Sequence, residues 1–129
     1  MSYDLYFWRE TVSNNGSPES ICDCLGRGEE LPGIAYLNVT NIKERFSNSF
    51  PEINDLGSQL DWEGAGSYFL ASWSTTSRPN ETTMVTVSCG FPLLDSPETM
   101  NLIISVMQEF GCALYDPQTE MRYEEPEPK

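Results

Sequence analysis

The chain has 129 residues, 39% hydrophobic and 12% aromatic, the composition of one globular domain with its own core rather than of a disordered segment. Twenty acids stand against seven bases, for a net charge of −13, and there is no histidine. A field of that sign repels phosphate backbones and argues against nucleic-acid binding, while the missing imidazole removes Ser-His-Asp and Cys-His catalysis and the usual ligand for zinc or non-haem iron.

The charge is not confined to a tail. Residues 117–129 carry a net of −2, which leaves −11 in the part expected to fold. A charge of that size steers a basic protein partner, or serves solubility alone. No uncharged apolar run approaches ~20 residues, so no membrane span is expected. The opening MSYDLYFW lacks the basic-then-apolar pattern of a signal peptide, and cytoplasmic residence is the expectation. Cys22 and Cys24 are too close in sequence for a usual zinc spacing, so these two, with Cys89 and Cys112, are expected to be buried free thiols. No cofactor is expected.

Residues 3–8, YDLYFW, read as a strand with Leu5 and Phe7 on one face and Asp4, Tyr6 and Trp8 on the other. Ser17-Pro18 starts a short helix over residues 18–26, with Ile21, Cys22 and Leu25 inward and Gly26-Arg-Gly28 as its stop. Residues 29–38 are ambiguous. A second helix is predicted over 40–49, placing Ile42, Phe46 and Val39 on one side before Pro51 breaks the pattern.

Residues 49–66, SFPEINDLGSQLDWEGAG, read as a long glycine-punctuated loop without a base. Such stretches are often functional. Its Phe50 and Trp62 lie among Glu52, Asp55, Asp61 and Glu63, and these six are the candidate partner-binding residues: aromatic anchors for affinity, carboxylates for steering. Packing of both aromatics under the loop is the structural alternative.

Residues 67–75 and 82–89 alternate apolar with hydroxyl side chains and form a strand pair, turned at Ser77-Arg-Pro-Asn80. Asp95 or Ser96 caps a third helix, Pro97 and Glu98 suit its first turn, and Gly111 ends it. Met100, Ile103, Ile104, Met107 and Phe110 form its apolar stripe, expected against Phe69, Ala71, Val85 and Val87. Residues 112–115 are a last strand, closed by Asp116-Pro117.

The order strand, helices, strand, strand, helix, strand predicts an α+β domain over residues 1–123. Its expected form is a four-stranded antiparallel sheet with helices on one face, in ferredoxin-like split βαβ order, followed by a disordered acidic tail at 124–129. Asp116 then comes near Tyr3 and Asp4. Paired carboxylates there could serve a hydrolase or magnesium, but Asp116 as an acceptor in its own turn is the simpler role. No catalytic or metal-binding residue is assigned.

Together, MSYDLYFW at residues 1–8 and EFGCALYDPQT at 109–119 resemble a group of small bacterial proteins, many of them immunity proteins encoded beside secreted polymorphic toxins. The resemblance implies a protein that acts by occupying a toxin surface and needs no catalytic residue. The leading expectation is therefore an acidic inhibitor of a basic toxin domain. The alternatives are a small-ligand binding or regulatory domain and a carboxylate-dependent hydrolase.

Overall fold

The computed structural model describes residues 2–11, 17–29, 31–64, 67–74, 76–90, 97–116 and 121–123. Among them are β1 (Ser2–Trp8), α1 (Pro18–Gly26), β2 (Leu37–Asn38), α2 (Val39–Ser49), β3 (Asn54–Asp55) and β4 (Gln59–Gly64). There follow β5 (Ser67–Trp73), β6 (Glu81–Thr82), β7 (Val85–Gly90), α3 (Pro97–Gln108), β8 (Ala113–Asp116) and β9 (Met121–Tyr123). The expected caps Asp95 and Ser96, the turn at Pro117 and the tail at 124–129 lie outside the described residues.

Local chemistry sets the helices. Ser17 caps α1, its hydroxyl accepting from the Ser20 N–H at 3.2 Å, with Pro18 in the first turn, and Ile21, Cys22 and Leu25 are buried as the spacing predicts. Asn38 caps α2 by accepting from the Asn41 N–H at 2.9 Å, and Val39, Ile42 and Phe46 are its buried side. The turns after α3 end on Gly111, at φ 75°. In α3 the fully buried positions are Ile103, Val106 and Met107, while Met100, Ile104 and Phe110 pack at the edge of the core. The stripe is thus rotated slightly towards Val106 from the one expected.

The α+β class holds, but the sheet is larger than four strands. It has seven, in the order β3-β4-β5-β7-β1-β8-β9, every neighbouring pair antiparallel, and β2 and β6 form a separate two-stranded ladder. The added strands are those that sequence could not pair. β3 and β4 come from the supposed loop 49–66, and β9 extends the other edge.

The helices do not share one face either. Along β1, Leu5 and Phe7 belong to a core with Ile42 and Phe46 of α2 and Ile103 and Met107 of α3. Tyr6 and Trp8 belong to a second core with Ile21, Cys22 and Leu25 of α1. Successive strand residues point to opposite faces, so α2 and α3 cover one side of the sheet and α1 covers part of the other. The expectation of helices on one face failed because the hydroxyl-rich alternation of β5 and β7 reports on the middle of the sheet. The α1 core gathers around β1 and β8, where Trp8 and Tyr115 lie 5.9 Å apart between ring centres.

The larger core holds the residues expected to meet α3: Phe69, Ala71, Val85 and Val87 are all fully buried in it. A guanidinium–carboxylate pair ties α2 to the turn that follows α3, Arg45 Nη2 lying 2.6 Å from Glu109 Oε1. Both groups are half-exposed, so the clamp orients α2 on α3 more than it stabilises them. Asp116, buried in β8, follows Tyr115, which pairs with Tyr6 of β1.

A groove beside Trp62 as the candidate functional site

Cross-strand register decides what the six candidate residues can do together. Partners in register point to the same side of a sheet. Trp62 pairs with Phe69, and Phe69 with Cys89, a row that lies against α2 and α3. Asp61 pairs with Leu70, Leu70 with Ser88, and Ser88 with Asp4, a row on the opposite face. Glu63 faces the same way as Asp61, opposite Tyr68. The six therefore divide: Phe50, Glu52, Asp55 and Trp62 on the α2–α3 side, Asp61 and Glu63 behind the sheet.

Asp55 is further removed from the others. Its Oδ1 accepts from the Gly57 N–H at 2.8 Å and meets Lys43 Nζ at 3.1 Å. The Gly57 N–H first, and then Lys43, hold its carboxyl below the usual range. Its charge is spent on closing the β3–β4 turn onto α2.

Phe50, Glu52 and Trp62 do come together. Phe50 closes α2, its N–H donating to the Phe46 carbonyl at 2.7 Å, and turns its ring into the core. There it lies edge-on to Trp62 at 5.3 Å and to Phe69 at 4.9 Å, while Trp62 stacks on Phe69 at 5.4 Å. Pairs at such spacings add ~0.5–1.5 kcal/mol each beyond the area they bury. Phe50 is 4% exposed, and its ring packs against Trp62 and Phe69 at the floor of the site. Trp62 is half-buried, with one side on Phe50 and Phe69 and the rest facing a groove.

That groove, about 410 Å³, is lined by Ser49, Phe50, Pro51, Glu52, Trp62, Thr99 and Leu102. It runs between the end of α2, the edge of β4 and the first turns of α3. Leu102 is 38% exposed, one of the few large apolar side chains in the described chain to be so open. Glu52 is exposed at the rim. An apolar floor with a carboxylate at its lip suits an apolar side chain followed by a base.

Sequence reasoning missed Thr99 and Leu102. They are three apart on α3 and off its core stripe, so Leu102 was legible as an apolar residue on a helix's outward side. The backbone beside the groove is adapted to the indole as well. A Cβ on Gly64 would lie 2.8 Å from Trp62 Cζ2, closer than carbon atoms pack.

Among the described residues no group of His, Cys, Asp and Glu could hold a metal ion. The four cysteines are free thiols, and burial pushes Cys22 up to about 11 and Cys89 and Cys112 up to about 12. These three are therefore poor nucleophiles near neutral pH. No described helix is long and apolar enough to cross a membrane. No family model, curated protein or solved structure matches this chain.

Proposed function

We propose that this chain is a cytoplasmic acidic inhibitor of the immunity type, which neutralises a basic toxin domain by covering its surface. The observation that carries the proposal is the groove, with Trp62, Leu102 and Pro51 as an apolar floor and Glu52 at its rim, on a chain of net charge −13. The two features divide the work: long-range attraction raises the association rate, and desolvated aromatic contact slows dissociation. Glu52 provides the short-range acid in place of the four expected carboxylates, and Asp61 and Glu63 add to the field from behind the sheet. Within the fold, the four central strands in the order β5-β7-β1-β8 are a split βαβ unit enlarged at both edges. Their order and antiparallel pairing support that description.

The test is co-expression. The reading requires a secreted toxin gene directly before this one, and the terminal domain of its product is made with and without the chain; the lack of such a gene refutes the proposal as well. Restored growth and a stable one-to-one complex on gel filtration are the expected results. Equal killing in both cultures, with no complex, refutes the proposal.

A further inference from the structure

A second cavity, about 290 Å³, opens between the first turns of α2 and the connection from β5 to β6. Its walls include Val39, Lys43, Trp73, Ser74, Arg78, Pro79 and Asn80. Two features set it apart. The bases with described side chains are Arg9, Arg27, Lys43, Arg45 and Arg78, and this one cavity takes two of them in a strongly acidic chain. Each also rests on an aromatic ring, Lys43 Nζ at 5.5 Å from the centre of Trp73 and the Arg78 guanidinium at 4.0 Å from that of Tyr36. Such stacking holds a cationic head in place without using its hydrogen-bond donors.

The wall is built rather than loose. The Thr76 hydroxyl donates to the Glu81 carbonyl at 2.9 Å and accepts from the Arg78 N–H at 3.2 Å, which closes the loop on itself. Asn80 then fastens the loop to α2: its carbonyl accepts from the Val39 N–H at 2.9 Å, and its Nδ2 donates to the Thr40 hydroxyl at 2.9 Å. The first turn of α2 carries no acid, so the helix end at this wall is not offset by a side-chain charge there.

Both bases have acidic neighbours, and both neighbours are replaceable. Glu81 approaches Arg78 only to 3.7 Å, too far for a hydrogen bond, which leaves the donor edge of the guanidinium usable. Asp55 meets Lys43 at 3.1 Å but keeps the Gly57 N–H if the ammonium turns away. In each pair one partner, Asp55 or Arg78, is more than half exposed, so water already competes for the contact; exchanging a protein carboxylate for a ligand oxyanion then costs little, and the ligand's contacts with the walls decide the outcome.

We infer that the cavity between Lys43 and Arg78 binds a small organic oxyanion, its phosphate or carboxylate bridging the two bases and its flat uncharged body against Trp73, Pro79 and Val39. The site is separate from the groove beside Trp62 and does not depend on the inhibitor reading. The ligand must be small and of low charge, because the whole-chain field opposes an anion at long range.

The experiment is an NMR titration of the intact chain, following the Trp73 indole N–H and the amides of Val39, Ser74 and Asn80. The probes are inorganic phosphate, phenyl phosphate and benzoate. Saturable shifts at these positions are expected, stronger for phenyl phosphate than for inorganic phosphate. Arg78→Gln and Lys43→Gln should each weaken binding roughly ten- to a hundredfold, the loss expected for one charge-assisted donor. Arg45→Gln, on α2 but outside the cavity, should leave it unchanged. Shifts by phenyl phosphate with none by benzoate identify a phosphate ligand, and the converse a carboxylate. No saturable shift with any probe, or wild-type affinity in both cavity variants, overturns the inference. Equal affinity for inorganic and phenyl phosphate overturns the assignment of an organic body.

Discussion

The close approach of Gly64 to Trp62 yields a test that needs no partner. A methyl group at residue 64 would meet Cζ2 of the indole at 2.8 Å and Cη2 at 3.2 Å. The ring cannot swing aside freely, because Phe69 stacks on it at 5.4 Å and Phe50 holds its edge at 5.3 Å. Gly64→Ala should therefore cost ~1–3 kcal/mol, the usual range for an added methyl that a packed neighbour must accommodate. Trp62→Ala should cost ~2–3 kcal/mol, below the ~3–5 kcal/mol of a fully buried aromatic because part of the ring already faces the groove. In the double variant the methyl has nothing to strike. The two costs should fail to add, leaving a coupling of ~1–3 kcal/mol in a double-mutant cycle. Urea denaturation of the four proteins measures it, with unchanged slopes as the check that the unfolded state is the same. Additive costs would mean that the indole is mobile at the groove, and the picture of Phe50 holding a fixed Trp62 would be wrong.

Ile103→Ala should cost ~2–5 kcal/mol and Ile104→Ala clearly less, because Ile103 is fully buried and Ile104 lies at the core's edge; thermal melting of both ranks them. If the groove receives a partner, Glu52→Gln should slow association and flatten its salt dependence, whereas Trp62→Ala should mainly speed dissociation; stopped-flow mixing with the toxin domain over a salt series separates the two. In the native protein, alkylation should mark Cys24 first, since it alone of the four thiols is not buried, and mass spectrometry after brief iodoacetamide treatment reads the order. The buried thiols also set a pH limit. Their folded-state values are raised, so their contribution is complete below pH 9 and is lost as pH rises from 9 towards about 11 for Cys22 and about 12 for Cys89 and Cys112. Each can steepen the loss by at most ~1.4 kcal/mol per pH unit over its window, and replacing Cys89 and Cys112 by Ala should flatten the alkaline limb of stability against pH.

What sequence alone determined about this protein is what short-range chemistry specifies. The start of α1 at Ser17-Pro18, its buried Ile21, Cys22 and Leu25, and the stop at Gly111 each depend on groups within a turn or two of one another. The β5–β7 pair was legible because its alternation is long. The alternation in β4 was present too: Leu60 and Trp62 against Asp61 and Glu63. In any strand, that alternation puts the two acids on the face opposite Trp62. It was obscured by flanking glycines and by carboxylates, which are poor strand formers unless a neighbouring strand supplies hydrogen bonds. Only the tertiary structure supplies that neighbour, pairing β4 with β5 along its whole length from Gln59↔Ser72 to Gly64↔Ser67. The groove is a further step removed from sequence, since Phe50, Trp62 and Leu102 come from the end of α2, from β4 and from α3. Their meeting depends on the packing of two helices over one end of a sheet, and nothing local to any one of the three residues encodes it.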